Sequence, residues 1–352
     1  MKSIEYFIKN ILLKLLILFS KSRKKVSLNF NSHSKILFIR LNRIGDALIT
    51  TTLLHIVKSK LKCSVYVLAD KKNYFIFKNN PSVDDVIIFD KSLHSFSKIN
   101  NLIKEKNIDT IIDLHDDVST TVSFLLKYAK VNQILGLERS NHKLYTNTVN
   151  RINPGKNHVI ARNIKLCELL KIEYELKDVR VHFYPTKSSL DFADTFFKKI
   201  NPETKFQLGI NISAGSMARF WGIENFQKLL EIIKAFNISI TIFSTPELQN
   251  IASKIIDKKF IYSVSDDFNI FAAGISKLNL LFTPDTSSVH IASAYNIPVF
   301  GLYVKYNTED MIWSPYNTPF DCVITKEPTL KNINFDKVKQ KFIPFLERYL
   351  NG

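Results

Sequence analysis

Apolar positions along the chain fall into two alternating textures. Short runs rich in β-branched and aromatic residues occupy positions 36–41, 64–69, 86–89, 110–114 and 133–137. Between them apolar residues recur at helical spacing, most clearly over 47–61, 93–106 and 119–130. Runs that are apolar at every position predict strands buried on both faces, and such strands alternating with helices predict a parallel sheet. A helix near 159–170 closes this half. The segment 179–189, VRVHFYPTKSS, carries Pro185 and a polar cluster and reads as a hinge. Beyond it the alternation restarts, with strands at 206–212, 239–243, 278–283 and 299–302 and helices at 226–236, 247–256, 268–276 and 288–295. A last helix is predicted over 335–349. The expected fold is α/β: two doubly wound, parallel-sheet (Rossmann-like) domains, 31–184 and 185–332, followed by a C-terminal helical segment, 333–352. No sequence repeat relates the halves.

The first thirty residues have a different texture. Ile4, Phe7, Ile8, Ile11, Leu12, Leu15 and Phe19 follow helical spacing and precede the basic run Lys21, Ser22, Arg23, Lys24, Lys25. Lys9 and Lys14 interrupt the apolar stretch, which falls far short of the roughly 18 residues a spanning helix needs. No small-residue cleavage site follows it. An amphipathic helix lying in the cytoplasmic face of a membrane, with its basic tail against anionic lipid, is one reading. A helix packed on the protein's own surface is the other.

Composition changes the picture little. The 352 residues are 45% hydrophobic and 23% charged, values of a globular chain with room for two cores. Cys63, Cys167 and Cys322 are odd in number and far apart, which argues for a reducing compartment and against a zinc site. The formal net charge of +17 suits a polyanionic partner, although many lysines stand singly among Asn, Ile and Phe, as a general lysine-rich bias would leave them. No basic, aromatic-interleaved motif supports nucleic acid as that partner.

In doubly wound sheets ligands bind at the carboxyl ends of strands, so the loops there carry the candidate chemistry. The chain has only nine glycines. Loop one is Asn42, Arg43, Ile44, Gly45, Asp46, where Gly45 lets backbone pass close to a ligand or take a positive φ. Asp46 is then a candidate base, or simply the N-cap of the next helix. Loop two, SAGSMARFWG over 213–222, offers Ser213, Gly215 and Ser216 for amide and hydroxyl contacts to an anion. Arg219 serves there as a forked cation or as an ordinary surface residue, and Trp221 packs the loop down. Loop three holds Asp285, Thr286, Ser287, Ser288 and His290. Hydroxyls and free amides at the helix start make an anion site, and Asp285 suits sugar hydroxyls. His290 taken alone reads equally as a structural histidine. Arg40, Arg43, His115 and Arg139 lie where an acceptor could be met, or serve as structural residues.

Several classes are excluded. There is no G-x-G-x-x-G and no G-x-x-x-x-G-K-S/T, so neither a dinucleotide-dependent dehydrogenase nor a P-loop NTPase is indicated. No two aspartates stand two apart, so the D-x-D by which metal-dependent sugar transferases hold a nucleotide diphosphate is missing. No metal and no cofactor is expected.

Taken in order, the three loops resemble the heptosyltransferases of glycosyltransferase family 9. ILFIRLNRIGDALITT is similar to their R-x-x-x-I/L-G-D-x-x-L/I-T loop, SAGSMARFWGIENFQKLLEII to G-A-S-x-x-K/R-x-W-P-x-x-x-F/W, and LLFTPDTSSVHIASAYNIPVFGLY to D-T-G-x-x-H-I/L-A-A/S-A-x-x-x-P. The likeness runs from about residue 35 to 303. It implies a GT-B architecture, two facing α/β domains with an active site in the cleft between them. It also implies inverting transfer of heptose from a nucleotide-diphosphate donor, ADP-heptose above all, to a lipopolysaccharide core. By position, Asp46 matches the general base and Arg219 the cation on the donor diphosphate. Thr286, Ser287, Ser288 and His290 fall in the phosphate-binding turn, and Asp285 on the sugar contact.

Two positions depart from the pattern: Ser287 stands where the family has glycine, and Gly222 where it has proline. They keep open a related transferase moving a different sugar to core oligosaccharide or another surface glycan. A non-catalytic nucleotide-sugar-binding protein is the remaining alternative. The expected partners are the donor, a phosphorylated glycolipid acceptor and the inner face of the cytoplasmic membrane, with no nucleic acid.

Overall fold

A computed structural model describes residues 2–90, 92–200, 206–213, 215–262 and 265–350, with the side chains of residues 2–6, 93 and 94 left out. The side chain of Ile4 and residue 214 of loop two therefore lie outside the described residues. The chain divides into two compact units, Met1–Val179 and Arg180–Gly352.

In the first unit the apolar runs form strands β1 (Lys35–Arg40), β2 (Ser64–Asp70), β3 (Asp85–Phe89), β4 (Thr110–Asp113) and β5 (Gln133–Leu137), with a short β6 (Asn147–Val149) at the edge. All pair in parallel in the order β3-β2-β1-β4-β5-β6. β1 is buried from Ile36 through Arg40, as a central strand covered on both faces must be. The order reverses between β1 and β4, which opens the crevice where doubly wound sheets bind ligands.

The second unit carries β7 (Gln207–Asn211), β8 (Ser239–Phe243), β9 (Leu280–Pro284), β10 (Val299–Val304) and β11 (Phe320–Thr325), again all parallel, in the order β11-β10-β9-β7-β8. Here the reversal lies between β7 and β9. One face of this sheet packs an aromatic core around Trp221, Phe226, Phe282, Phe300 and Phe342. The last helix, Phe335–Leu350, contributes to that core through Val338, Phe342, Phe345 and Leu346.

Three expectations need correction. The helix predicted near 159–170 is two short helices, Val159–Ile164 and Cys167–Leu170. The hinge segment 179–189 runs into a helix, Lys187–Ile200, whose apolar positions include Leu190, Ala193 and Phe197. Thr186 starts it by accepting the Ser189 amide at 3.2 Å. Strands β6 and β11 were not expected, because each is an edge strand with only part of its length buried.

The N-terminal helix spans Lys2–Leu18. It packs on the helix Thr120–Tyr128, with Leu16 buried and Leu13 partly buried in the core of the first unit. Just beyond it, Arg23 donates from Nη2 to the carbonyls of Leu126 at 2.8 Å and Ala129 at 3.1 Å, closing the C-terminal end of that neighbouring helix. The stripe Ile8, Leu12, Leu15 and Phe19 stays exposed. Among the described residues no helix is long and apolar enough to cross a membrane.

Candidate active site

Loop one follows β1. The residue that bends the backbone is Asn42, at φ 107°, and not Gly45, which sits in the first turn of the helix Ile44–Leu61. Asn73, fully buried, holds this bend by donating Nδ2 to the carbonyls of Arg40 at 3.2 Å and Asn42 at 2.6 Å. Arg43 is exposed and occupies the N-cap position without a side-chain cap, so Asp46 is not the N-cap that one reading made it. Its carboxylate, 21% exposed, instead pairs with the buried Arg40 guanidinium. Arg40 also donates Nη1 to Leu114 O at 2.7 Å. Burial lowers the Arg40 pKa, and Asp46 is the strongest of the carboxylates opposing that fall. The result is a carboxylate at the switch point of the first sheet, held in one orientation by a cation beneath it.

Below the same crevice lies a buried polar network. Asp113, at the end of β4, accepts hydrogen bonds from His115 N at 3.0 Å, His115 Nδ1 at 2.7 Å, Arg139 Nη2 at 2.6 Å and Tyr145 OH at 2.7 Å. Gly136 on β5 makes room for this, since a Cβ there would stand 2.5 Å from the Tyr145 ring. His115 Nε2 reaches Leu41 O at 2.8 Å, tying the network to loop one. Arg40, His115 and Arg139 are thus buried structural groups, the second of the two readings given for them; Arg43 alone of the four is exposed.

Loops two and three follow β7 and β9 and flank the switch point of the second sheet. Asn211, buried at the end of β7, joins them: its Nδ2 donates to Ser213 O at 3.1 Å, Thr283 Oγ1 at 3.0 Å and Ser288 Oγ at 3.2 Å, while its Oδ1 accepts the Ser213 amide at 3.0 Å. Thr286 caps the helix Ser287–Ala294. Its hydroxyl lies 2.6 Å from Ser288 Oγ, which lies 2.6 Å from Thr283 Oγ1. The Ser288 hydroxyl therefore faces inward and secures the turn, while Thr286 and Ser287 remain part-exposed. Ser213 is likewise buried, accepting the Thr245 amide at 2.7 Å, whereas Gly215 and Ser216 are exposed.

Across this crevice Arg219 Nη1 donates to Asp285 Oδ2 at 2.8 Å. Both side chains keep nearly a third of their surface. Burial pushes the Asp285 carboxyl above the usual carboxylate range, with Arg219 opposing it. His290 is buried, its ring 6.0 Å from that of Trp313. Trp221 packs the loop as expected, buried, with Nε1 on Ile333 O at 3.1 Å and its ring stacked on Phe335. Among the described residues no group of three or more His, Cys, Asp or Glu side chains is placed to hold a metal ion.

Gly222, where the resembling sequences carry proline, caps the helix Ile223–Ile233 at φ 110°, ψ 145°. Proline holds φ near −65° and cannot take that conformation. A Cβ at this position would meet nothing closer than Asn225 Nδ2 at 3.8 Å, so the cost of Gly222→Ala is dihedral and not steric. We expect denaturant titration to show a loss of about 1–3 kcal/mol; an unchanged midpoint would mean that the loop adopts another backbone path.

Asn211, Asn73 and Trp313 were not singled out in the sequence. The legible signal for Asn211 was a polar side chain at the end of an otherwise apolar strand. Asn73 and Trp313 lie outside any motif, and only the fold brings them to the site.

The model of glycosyltransferase family 9 (heptosyltransferase) matches residues 96–342, which includes loops two and three but not loop one. A lipopolysaccharide core heptosyltransferase of Haemophilus influenzae, OpsX, is 24% identical over 226 residues, covering 61% of this chain and 62% of its own length. Among solved structures, a family 9 glycosyltransferase from Veillonella parvula has TM-score 0.77 at 19% identity, covering 92% of this chain and 99% of that one. E. coli heptosyltransferase WaaC with ADP has TM-score 0.70 at 14% identity, covering 90% and 99%. The fold is the GT-B fold of those enzymes, and the chain belongs to glycosyltransferase family 9, the heptosyltransferase family.

Proposed function

We propose that the protein is an inverting, metal-independent heptosyltransferase that moves heptose from ADP-heptose to a phosphorylated glycolipid, the core of lipopolysaccharide. The observation that carries this reading is the joined pair of loops in the second unit. Asn211 and a hydroxyl chain fix their relative position, and between them Arg219 and the Thr286–Ser287 turn present a cation and donors to a diphosphate. Asp285 exchanges its Arg219 partner for sugar hydroxyls when the diphosphate takes the guanidinium. Ser213 and Ser288 act by holding the turn. His290 supports it from beneath, and exposed Gly215 and Ser216 close over the donor.

Inversion requires the acceptor hydroxyl to enter the anomeric carbon opposite the departing diphosphate. Asp46 takes the acceptor proton as the new C–O bond forms. Arg219 and the turn stabilise the charge that accumulates on the leaving group as the old bond breaks. Arg43 and Gly45 line the acceptor side. Metal independence rests on the missing D-x-D, and transfer is expected to persist in excess chelator.

The acceptor's membrane is met by the N-terminal helix. Its exposed stripe of four large apolar residues offers about 1.5–3 kcal/mol for each one fully buried. Lys21, Lys24 and Lys25 each add about 1 kcal/mol near an anionic surface. The enzyme accordingly works at the inner face of the cytoplasmic membrane.

Ser287 in place of glycine favours a second reading, a related transferase for another sugar, because its side chain narrows the approach to the turn. A panel of nucleotide sugars read by thermal shift decides between them. A true donor at 100 times its Kd stabilises the fold by about 2.7 kcal/mol. ADP-heptose is expected to give the largest shift, and Arg219→Ala to abolish it. A larger shift with another nucleotide sugar selects the second reading, and a shift unaffected by Arg219→Ala contradicts the assignment of the diphosphate site.

A further inference from the structure

The N-terminal helix does more than present one apolar stripe. Its flank and the turn over residues 140–143 bound a groove of about 590 Å³, within the roughly 300–1,000 Å³ of small-molecule sites. Phe7, Ile11 and Leu18 supply apolar wall from the helix. Lys14 enters from the same helix and Lys143 from the opposite side, and no carboxylate is among the described lining residues. At 100° per residue, Ile11 and Leu18 lie between the groove face and the stripe Ile8, Leu12, Leu15, Phe19, so the groove opens onto the surface that meets the membrane.

Contacts on either side hold the helix beside the groove. Leu16 is built into the core, and Arg23 is clamped on the carbonyls of the neighbouring helix. The Arg23 amide also donates to Lys143 O at 3.0 Å, fixing the far wall to the segment that follows the helix. A groove with apolar wall and two cations among its lining residues matches an amphiphile that has one anionic head and an alkyl tail.

We propose that this groove holds a single anionic phospholipid of the bilayer, with an acyl chain along Phe7, Ile11 and Leu18 and its phosphate between Lys14 and Lys143. The proposal rests on the membrane reading above and deepens it. Held this way, one lipid sets the depth and rotation of the first unit at the surface, which the apolar stripe alone does not fix.

The test separates the groove from the stripe. Dioctanoyl phosphatidylglycerol, used as a monomer below its micellar concentration, should bind the full chain saturably at one per chain by calorimetry. The zwitterionic dioctanoyl phosphatidylcholine should bind at least tenfold more weakly. Lys14→Glu with Lys143→Glu should weaken phosphatidylglycerol binding at least tenfold. Ser140→Trp, which fills the exposed side of the groove without changing charge, should do the same. Ile8→Ser with Leu12→Ser and Leu15→Ser should leave monomer binding within twofold but abolish flotation with phosphatidylglycerol-containing vesicles. Non-saturable binding, equal affinity for the two headgroups, or indifference to both groove variants overturns the groove, even if vesicle binding survives. Loss of vesicle binding by the wild-type protein overturns the membrane reading itself.

Discussion

Asp46→Asn is expected to slow sugar transfer by about 10²- to 10⁴-fold, the usual worth of a general base, while nucleotide-sugar thermal shifts stay at their wild-type size. The substitution is close to isosteric and leaves an oxygen to accept from Arg40, so the loop should keep its shape. Asp46→Ala makes the informative contrast. It leaves the buried Arg40 guanidinium without its carboxylate, so stability should fall together with activity. Turnover near wild type in Asp46→Asn would remove Asp46 from the mechanism. Loss of donor binding in the same variant would mean that the loop serves the donor.

Asp113→Asn is expected to be the most damaging single change to stability. The carboxylate is buried and accepts four hydrogen bonds, one from the Arg139 guanidinium. Burial alone would raise its pKa; the Arg139 charge, His115 and the hydrogen bonds outweigh it and hold the group well below the usual carboxylate range. Asparagine keeps one acceptor and turns an NH₂ toward donors, so a loss of about 3–5 kcal/mol follows for breaking a buried ion pair. The sign of the pH dependence is fixed by the depressed folded-state pKa. The contribution is fully present above the unfolded value of about 3.9 and shrinks by about 1.4 kcal/mol for each pH unit below it. In urea titrations the gap between wild type and variant should therefore narrow between pH 4 and pH 2. A gap of constant size would show that the loss comes from packing alone. Because His115 links this network to Leu41, the variant should also slow transfer by displacing loop one.

The sequence made the central parts of both sheets legible for a definite reason. Buried parallel strands such as β1 and β9 must be apolar along their whole length, and the helices between them must be apolar on one side. Edge strands obey neither demand: β11 buries only Val323, and its sequence FDCVIT reads as a loop. The helix Lys187–Ile200 was legible through Leu190, Ala193 and Phe197, but the Pro185 region drew the segment into the hinge.

Among the candidate residues, motif spacing singled out positions, and their partners in the fold decide what each side chain does. Ser288 and Thr286 are two apart in a hydroxyl-rich turn, yet one faces the core and the other caps the helix. Their partners separate them: Ser288 Oγ lies 2.6 Å from Thr283 Oγ1 and 3.2 Å from Asn211 Nδ2, whereas Asn211 stands 3.4 Å from the Thr286 hydroxyl. Arg40 read equally as an acceptor contact or a structural residue, and burial with its pairing to Asp46 makes it the support beneath the carboxylate.

In the proposed mechanism Asp46 of the first unit and Arg219 of the second serve the same sugar. An experimental structure of the complex with a non-transferable ADP-heptose analogue tests this most directly. A hydrogen bond and a near-attack contact in series predict an Asp46 carboxylate oxygen within about 6 Å of the anomeric carbon, with the diphosphate on Arg219. A diphosphate bound elsewhere, or an Asp46 carboxylate well beyond that reach and turned into the interior, would contradict it.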